Sequence, residues 1–409
     1  MKTWKIAMIG MGTRGQSLLT GAILPACEDY GVTVGAICDV YEDRVAEGIK
    51  IVKENAGYEP KGVQDYQQVL DDPEIDGVIL SCSWEAHIPL AIAAMKAGKY
   101  PALEVGGAYN IEECWDLIYT YEQTGTRCML MENCCYGQWE MMAMNMVRQG
   151  VFGDIVHCSG GYHHDLRDQL AESVENRHYR LNNYLYRNCE NYPTHELGPI
   201  AKVLDINNGN RIISLSSTAS CAKGMHEYVN NRFGPDHHLS NAEFAQGDVV
   251  TTVLKCLKGQ TITLTLDTTL PRTYTRGFTV RGTKGSYLGM TNTVFIDGVH
   301  NEYEWKGSEI WDNAKSYTDQ YQHPLWVGYD PKGGHGGMDY LVFSAYMESL
   351  VNGTEPPIDV YDAATYMAIT PLSEKSIAQG GAVIAVPDFT RGKWYMREPA
   401  PESKFKLTR

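Results

Sequence analysis

The sequence predicts a mixed α/β protein: an amino-terminal doubly wound parallel sheet, followed by an α+β domain with a mainly antiparallel open sheet. Three observations carry that expectation. From Lys5 to about Met131, apolar runs alternate with helical segments, the pattern of repeated βα units. A glycine-rich turn, Gly10-Met11-Gly12-Thr13-Arg14-Gly15, joins the first strand to its helix. After Gly150 the pattern changes to partly alternating runs rich in Val, Ile and Thr, separated by Gly and Asn turns.

Taken in order, strand Lys5–Ile9 leads to a helix from about Arg14, and strand Val32–Cys38 to one around Glu42–Asn55. Strand Gly77–Leu80 precedes a helix from Glu85 to Ala97, with Pro89 in its first turns and Gly98 as its stop. Strands Ala102–Val105 and Arg127–Met131 flank a helix at Ile111–Thr124. Met141, Met142, Met144 and Met146 follow on a helical stretch and read as core filling. Runs Asp154–Gly161, Arg211–Ala219, Asp248–Cys256, Gln260–Asp267 and Gly277–Arg281 predict the second sheet, with helices after Thr194 and after Asp339. Pro371 is expected to kink or break the last helical run, near Tyr361–Gln379. The tyrosine-rich segments Asp165–Asn191 and Asn301–Gly337 read as long functional loops. These elements divide the chain into residues 1–140 and 141–409, with the C-terminal segment packing back on the first domain. An open second sheet further predicts a homo-oligomer, a dimer or higher.

With 409 residues the chain has room for two or three domains. A formal charge of −15 without any Lys/Arg run argues against nucleic acid and anionic membranes. No apolar run approaches the roughly 18 to 20 residues of a membrane span. Eleven cysteines occur without C-x-x-C spacing, and Cys38, Cys82 and Cys158 lie in or beside apolar strand runs. They read as reduced core thiols, which predicts a cytoplasmic protein, or a periplasmic one if a leader has been removed.

The glycine turn reads as a seat for a dinucleotide pyrophosphate. Its first glycine permits the tight turn, its second lets backbone approach phosphate, and its third lets the helix pack on the strand. Asp39 ends the second strand about 20 to 25 residues further on, where an acid grips ribose hydroxyls. Ligands of such sheets lie beyond the carboxyl ends of the strands. That rule selects Gly10–Gly15, Asp39, Ser81–His87, Glu104–Gly107 and Glu132–Asn133.

Three clusters in the second half carry further chemistry: Gly160–Arg167, Tyr192–Pro199 and Pro271–Gly277. His163, His164 and Asp165 are metal-ligand types, but neighbours on a strand point to opposite faces. His195-Glu196 lacks the second histidine of a zinc-binding helix, so no metal is expected. Acid/base work on a polyol is the alternative. A histidine accepts a hydroxyl proton as hydride leaves the same carbon, and a tyrosine does so if a cation such as Arg180 lowers its pKa.

Together with the glycine turn, an ordered series of motifs runs from about Lys5 to Lys393: Trp84-Glu85-Ala86-His87, Glu104-Val105, Met131-Glu132-Asn133-Cys134-Cys135-Tyr136, Gly161-Tyr162-His163-His164-Asp165-Leu166-Arg167, Tyr192-Pro193-Thr194-His195, Gly336-Gly337-Met338-Asp339, Asp359-Val360-Tyr361-Asp362-Ala363-Ala364 and Pro387-Asp388-Phe389-Thr390-Arg391-Gly392. On these the chain resembles the Gfo/Idh/MocA oxidoreductase superfamily and, within it, the NAD-dependent family-109 glycosidases of the α-N-acetylgalactosaminidase type. The resemblance implies a Rossmann domain with tightly bound, unconsumed NAD. Gly10, Gly12, Thr13, Arg14, Asp39, Trp84, Glu85, His87, Glu104, Val105 and Asn133 would hold it. Tyr162, Arg180, Tyr192, Pro193, Thr194, His195 and Tyr274 would line the sugar of a small-molecule glycoside. His195 is assigned proton traffic at O3, Tyr162 or Tyr192 the proton at C2, and Glu132 or His164 the leaving group or water. Tyr274 completes the catalytic set.

In the implied mechanism the sugar loses hydride from C3, the ketone acidifies C2, the C1 substituent is eliminated, water adds, and hydride returns. Glu104-Val105-Gly106 stands where ordinary dehydrogenases of the superfamily have Glu-Lys-Pro, and loss of that lysine fits the glycosidase branch. Glu196 stands where these glycosidases have glycine, His163 where they have an apolar residue, and Cys189-Glu190-Asn191 where they have Gly-Asn-Leu. A sugar dehydrogenase releasing NADH and a non-catalytic sugar or nucleotide sensor are the alternative readings.

Overall fold

The computed structural model describes residues 2–301, 303, 305–398 and 400–408. The chain folds into two compact units: Met1–Tyr136 with Gly328–Thr365 and Glu398–Arg409, and Gly137–Val327 with Tyr366–Arg397. Residues 328–365 and 398–409, placed by the sequence division in the second domain, thus complete the first unit.

The first unit is built on six parallel strands: β1 (Trp4–Ile9), β2 (Val32–Cys38), β3 (Lys61–Val63), β4 (Gly77–Leu80), β5 (Tyr100–Leu103) and β6 (Met129–Leu130). Their order is β3-β2-β1-β4-β5-β6, so the sheet reverses direction between β1 and β4. Such a reversal leaves a crevice beyond the carboxyl ends of those two strands. β4 and β5 are buried throughout, which is why Gly-Val-Ile-Leu and Tyr-Pro-Ala-Leu show no polar alternation. The helical run after the glycine turn is interrupted: Thr13–Leu18 and Leu24–Tyr30 are α-helical, and Leu19–Ile23 between them widens into a π turn. Pro25 supplies the reason, since it has no N–H to continue the α ladder across that point. Asn110 starts the helix Ile111–Thr124 by accepting from the Glu113 amide at 2.8 Å, and Gly125 ends it at φ +66°. From the later part of the chain, helix Met338–Asn352 packs on Leu24–Tyr30 and on the turn Asn133–Tyr136.

Eight strands form the sheet of the second unit: β7 (Ile155–His163), β8 (Ile212–Ala219), β9 (Val249–Cys256), β10 (Thr261–Asp267), β11 (Thr279–Gly282), β12 (Gly285–Leu288), β13 (Thr293–Ile296) and β14 (Ile384–Ala385). Their order is β13-β12-β11-β7-β10-β9-β8-β14. All pairs are antiparallel except β7 with β10. Along β9 and β10 burial alternates strictly, so one face is core and the other is partly exposed. Helices Thr194–Val203 and Ile369–Ala378 pack against β7 and β8. The break expected at Pro371 falls earlier, at Ala368, between Val360–Met367 and Ile369–Ala378. Pro371 therefore sits in a first helical turn, where a missing N–H costs little.

Segment 165–191 is less of a loop than expected, because it contains helices Arg167–Ala171 and Arg180–Tyr186. Short 3₁₀ and α-helical turns occupy the other long segment, in which residues 302 and 304 lie outside the described residues. All eleven cysteines are free, and all but Cys82 and Cys221 are buried. Among the described residues no helix is long and apolar enough to cross a membrane.

Candidate functional site

In the first unit the site is assembled at the strand ends. Gly10 adopts φ +99°, and a Cβ there would lie 2.6 Å from the backbone of Ser81 and Cys82. A Cβ on Gly15 would lie 2.4 Å from the Gly10 carbonyl oxygen. Only glycine fits either position. Gly12 is different, since a Cβ there meets nothing closer than Arg44 Nη1 at 3.7 Å. Its backbone borders open space, as a turn that receives a pyrophosphate requires, and the residues present fit a dinucleotide.

Asp39 is buried and accepts from the Met11 amide at 2.7 Å and the Tyr41 amide at 3.0 Å, so the acid also pins the glycine turn to the end of β2. Thr13 is exposed at the helix start. Past β4, Trp84 and His87 are buried while Glu85 is exposed. His87 Nε2 lies 3.2 Å from the Cys82 carbonyl, and burial pushes its pKa down to about 4, leaving a neutral imidazole. Gly106 gives Trp84 its room, since a Cβ there would strike the indole at 2.5 Å. Val105 is buried beside Glu104. Burial pushes Glu104 up to about 7 against the opposing pull of Arg14, whose guanidinium is 3.6 Å away. Glu132 is fully buried and accepts from the Cys134 amide at 3.0 Å.

One residue joins several of these and received no role from the sequence. Asp339 accepts from Arg14 Nη1 and Nη2 at 2.8 and 2.9 Å and from Asn133 Nδ2 at 2.7 Å, and its Oδ2 lies 2.8 Å from His335 Nδ1. Burial alone would raise its pKa, but the bonds from His335 and Arg14 hold the carboxyl well below the usual range. The Gly336-Gly337-Met338-Asp339 motif was visible. No periodicity or spacing, however, tied it to a turn more than 300 residues earlier.

In the second unit, five of the expected catalytic residues form one cluster. Tyr162, on the buried face of β7, lies with its hydroxyl 3.0 Å from His164 Nδ1. Its ring centroid is 4.4 Å from that of Tyr192 and 5.6 Å from that of His195. Tyr192 and His195 approach edge to face at 4.8 Å, and Tyr274 meets His164 in the same way at 5.1 Å. Arg180 is buried, lies 5.3 Å from the Tyr192 ring centroid, and donates to Gln169 Oε1 at 3.0 Å. Burial disfavours its charge, yet Tyr162, Tyr179, Tyr192 and Tyr184 around it keep the guanidinium cationic.

Backbone anchors explain why the run Tyr192-Pro193-Thr194-His195 sits where it does. Gln246 holds the preceding turn from both sides, accepting from the Cys189 amide at 3.2 Å and donating to the Cys189 carbonyl at 3.0 Å. Ser373 and Thr370 bind the amide and carbonyl of Glu190 at 2.8 Å each. Pro193 precedes the helix, and Thr194 is fully buried in its first turn. Tyr274 is carried by a segment that runs antiparallel beside the end of β7, where the Gly161 amide donates to the Arg276 carbonyl at 2.7 Å and Arg276 pairs with buried Glu140 at 2.6 Å. His164 turns to Tyr162, while Asp165 is held by Arg167 at 2.6 Å.

Comparison with known proteins agrees with both halves. Residues 4–132 match the oxidoreductase family with an NAD-binding Rossmann fold, and residues 136–396 match the glycosyl hydrolase 109 C-terminal domain. The chain is 38% identical to an α-N-acetylgalactosaminidase of Tannerella forsythia, over 97% of this chain and 88% of that one. It is 39% identical to a glycosyl hydrolase family 109 protein of Stenotrophomonas maltophilia, over 97% and 91%. In fold it is similar to levoglucosan dehydrogenase in complex with NADH and levoglucosan, at TM-score 0.69 and 17% identity, covering 94% of this chain and 99% of that one. The chain therefore belongs to glycosyl hydrolase family 109, glycosidases built on the NAD-binding Rossmann fold of the Gfo/Idh/MocA oxidoreductases.

Proposed function

We propose that this protein cleaves a small glycoside by transient oxidation at C3, elimination of the C1 substituent, addition of water and re-reduction. The observation that carries the reading is the buried Arg180 guanidinium set among tyrosines, with Tyr162, Tyr192, His164 and His195 in mutual contact. A desolvated cation beside phenols favours their ionised form and stabilises negative charge developing on an enolate. Bound NAD supplies a reversible hydride acceptor. His195 takes the O3 proton as the C3–H bond breaks. Tyr162 or Tyr192 removes the C2 proton, and the electron pair expels the C1 substituent to leave an unsaturated ketone. His164, hydrogen-bonded to Tyr162, protonates the leaving oxygen and then deprotonates water adding at C1.

Tyr274 supports the ring of His164 from its edge. Val105, where the dehydrogenases carry lysine, supports a cofactor that is retained rather than released. Relatives named α-N-acetylgalactosaminidase make N-acetylhexosaminides the first substrates to try. The partly exposed face of the second sheet supports a homo-oligomer, and the free buried thiols support a reducing, cytoplasmic setting.

The test is a panel of nitrophenyl α- and β-glycosides in deuterated water. Aglycone release without net NADH, deuterium at C2 of the product, and loss of both in His195→Ala are the expected results. Stoichiometric NADH accumulation would overturn the reading in favour of a dehydrogenase.

A further inference from the structure

We propose that Asp339 is a positioning residue of the cofactor site: it orients Arg14 and Asn133 and so sets how slowly the dinucleotide is released. The inference rests on the NAD reading of the first unit. Asp339 is 2% exposed, and its two oxygens face four nitrogens: Arg14 Nη1 and Nη2, Asn133 Nδ2 and His335 Nδ1. A bidentate carboxylate fixes the plane of a guanidinium as well as its position. The Arg14 side chain remains 34% exposed, so the bond to Asp339 secures one edge of the fork while part of the group stays accessible. Asn133 is fixed in the same way, because its amide nitrogen is committed to Asp339 Oδ1.

The segment that delivers Asp339 is itself held against the helix following the glycine turn. Gly333, His335, Gly336 and Gly337 have φ of +74°, +50°, +63° and +93°. A Cβ on Gly333 would lie 2.1 Å from the Gly21 carbonyl oxygen, so this close approach is open to glycine alone. His335 is a non-glycine residue in the left-handed region, a conformation that persists when the surroundings over-determine it. Its ring reaches both Asp339 and, at 3.1 Å, Arg14 Nη1. The loop thus closes on Arg14 through two side chains, and Arg14 with Asn133 belongs to the set expected to hold the cofactor. Neutralising Asp339 removes the bidentate carboxylate from the Arg14 guanidinium, which also lies 3.6 Å from Glu104.

The experiment follows release of bound NAD from the purified holoprotein, by nucleotide content after dilution and by the displacement rate into excess competing dinucleotide. Asp339→Asn is expected to release NAD about 10- to 100-fold faster, the range for losing hydrogen bonds to charged groups. If Asp339 acts through Arg14 and Asn133, adding Asp339→Asn to the double variant Arg14→Gln/Asn133→Ala speeds release no further, whereas a merely structural role makes the losses add. Additive losses, or a wild-type release rate in Asp339→Asn, overturn the proposal. Should Asp339→Asn not fold, His335→Ala at the half-exposed end of the network is expected to speed release about threefold or more, and no change there overturns it. Wild-type protein that holds no dinucleotide at all would instead overturn the NAD reading itself.

Discussion

The hydroxyl of Tyr162 lies 3.0 Å from Nδ1 of His164, two residues further along the chain, with the two rings edge to face at 5.5 Å. His164 lies just past the end of β7, with its amide still bonded to the Asp267 carbonyl of β10 at 3.1 Å, so the alternation of the strand carries on and brings a phenol and an imidazole to one place. A proton can pass between them without a diffusing intermediary. Tyr162→Phe removes the hydroxyl and keeps the packing against Tyr192 and His195. We expect kcat to fall about 10²- to 10⁴-fold with a much smaller change in KM. Solvent deuterium incorporation at C2 should fall with it if Tyr162 is the C2 base, which isotope analysis of the product checks.

Glycine positions separate folding from cofactor binding. Gly10→Ala forces a Cβ to within 2.6 Å of backbone at φ +99°, and should destabilise the first unit by about 2 kcal/mol or more. Gly12→Ala meets no such contact, at φ −66°. Its unfolding free energy from urea titration should match the parent within about 0.5 kcal/mol, while NAD affinity falls roughly tenfold because the methyl occupies the approach to phosphate. Titration of the apoproteins with NAD, beside their unfolding curves, distinguishes the two effects.

Glu104 makes stability fall as pH rises. Its folded-state pKa, pushed up to about 7 by burial from an ordinary 4.5, means that the folded apoprotein binds a proton which the unfolded chain has already lost. Between those two values the folded state loses stability as pH rises, and above about 7 the loss is complete. Glu104→Gln abolishes this slope. The gap between variant and parent should widen on the order of 2–3 kcal/mol from pH 4.5 to pH 8. Urea unfolding at several pH values measures it, and a parallel pH dependence in the two proteins would show that Glu104 does not titrate in that window.

Arg276 and Glu140 form a largely buried pair at 2.6 Å that anchors the segment carrying Tyr274. Glu140→Ala takes this carboxylate away from a largely buried guanidinium, at a cost of about 3 kcal/mol. Because the Arg276 carbonyl binds the Gly161 amide beside Tyr162, the loss should also raise KM for glycosides. Steady-state kinetics at a temperature where the variant remains folded tests that second effect.

Much of the first unit was legible because parallel strands declare themselves. β4 and β5 are continuous apolar runs, β1 and β2 are interrupted only by Lys5 and Thr33, and the residues just past their ends are those that the strand-end rule selects. β3, three residues long and largely exposed, carries no such signal and was not anticipated. The break at Ala368 and the π turn at Leu19–Ile23 also escaped, since a proline states where an N–H is missing but not how neighbouring turns absorb the loss.

What the amino-acid order determined by itself was local and periodic: the strand-turn-helix with its three glycines, the alternation of β9 and β10, and the residue types able to move protons. What tertiary structure alone decided was convergence. Tyr162, Arg180, the run Tyr192–His195 and Tyr274 come from four separate segments, and Asp339 reaches Arg14 across more than 300 residues. Side-chain spacing follows backbone geometry over a few residues. The meeting of distant carboxylates and guanidiniums depends on which helix packs on which sheet, and that is set by burial of whole faces rather than by any local pattern.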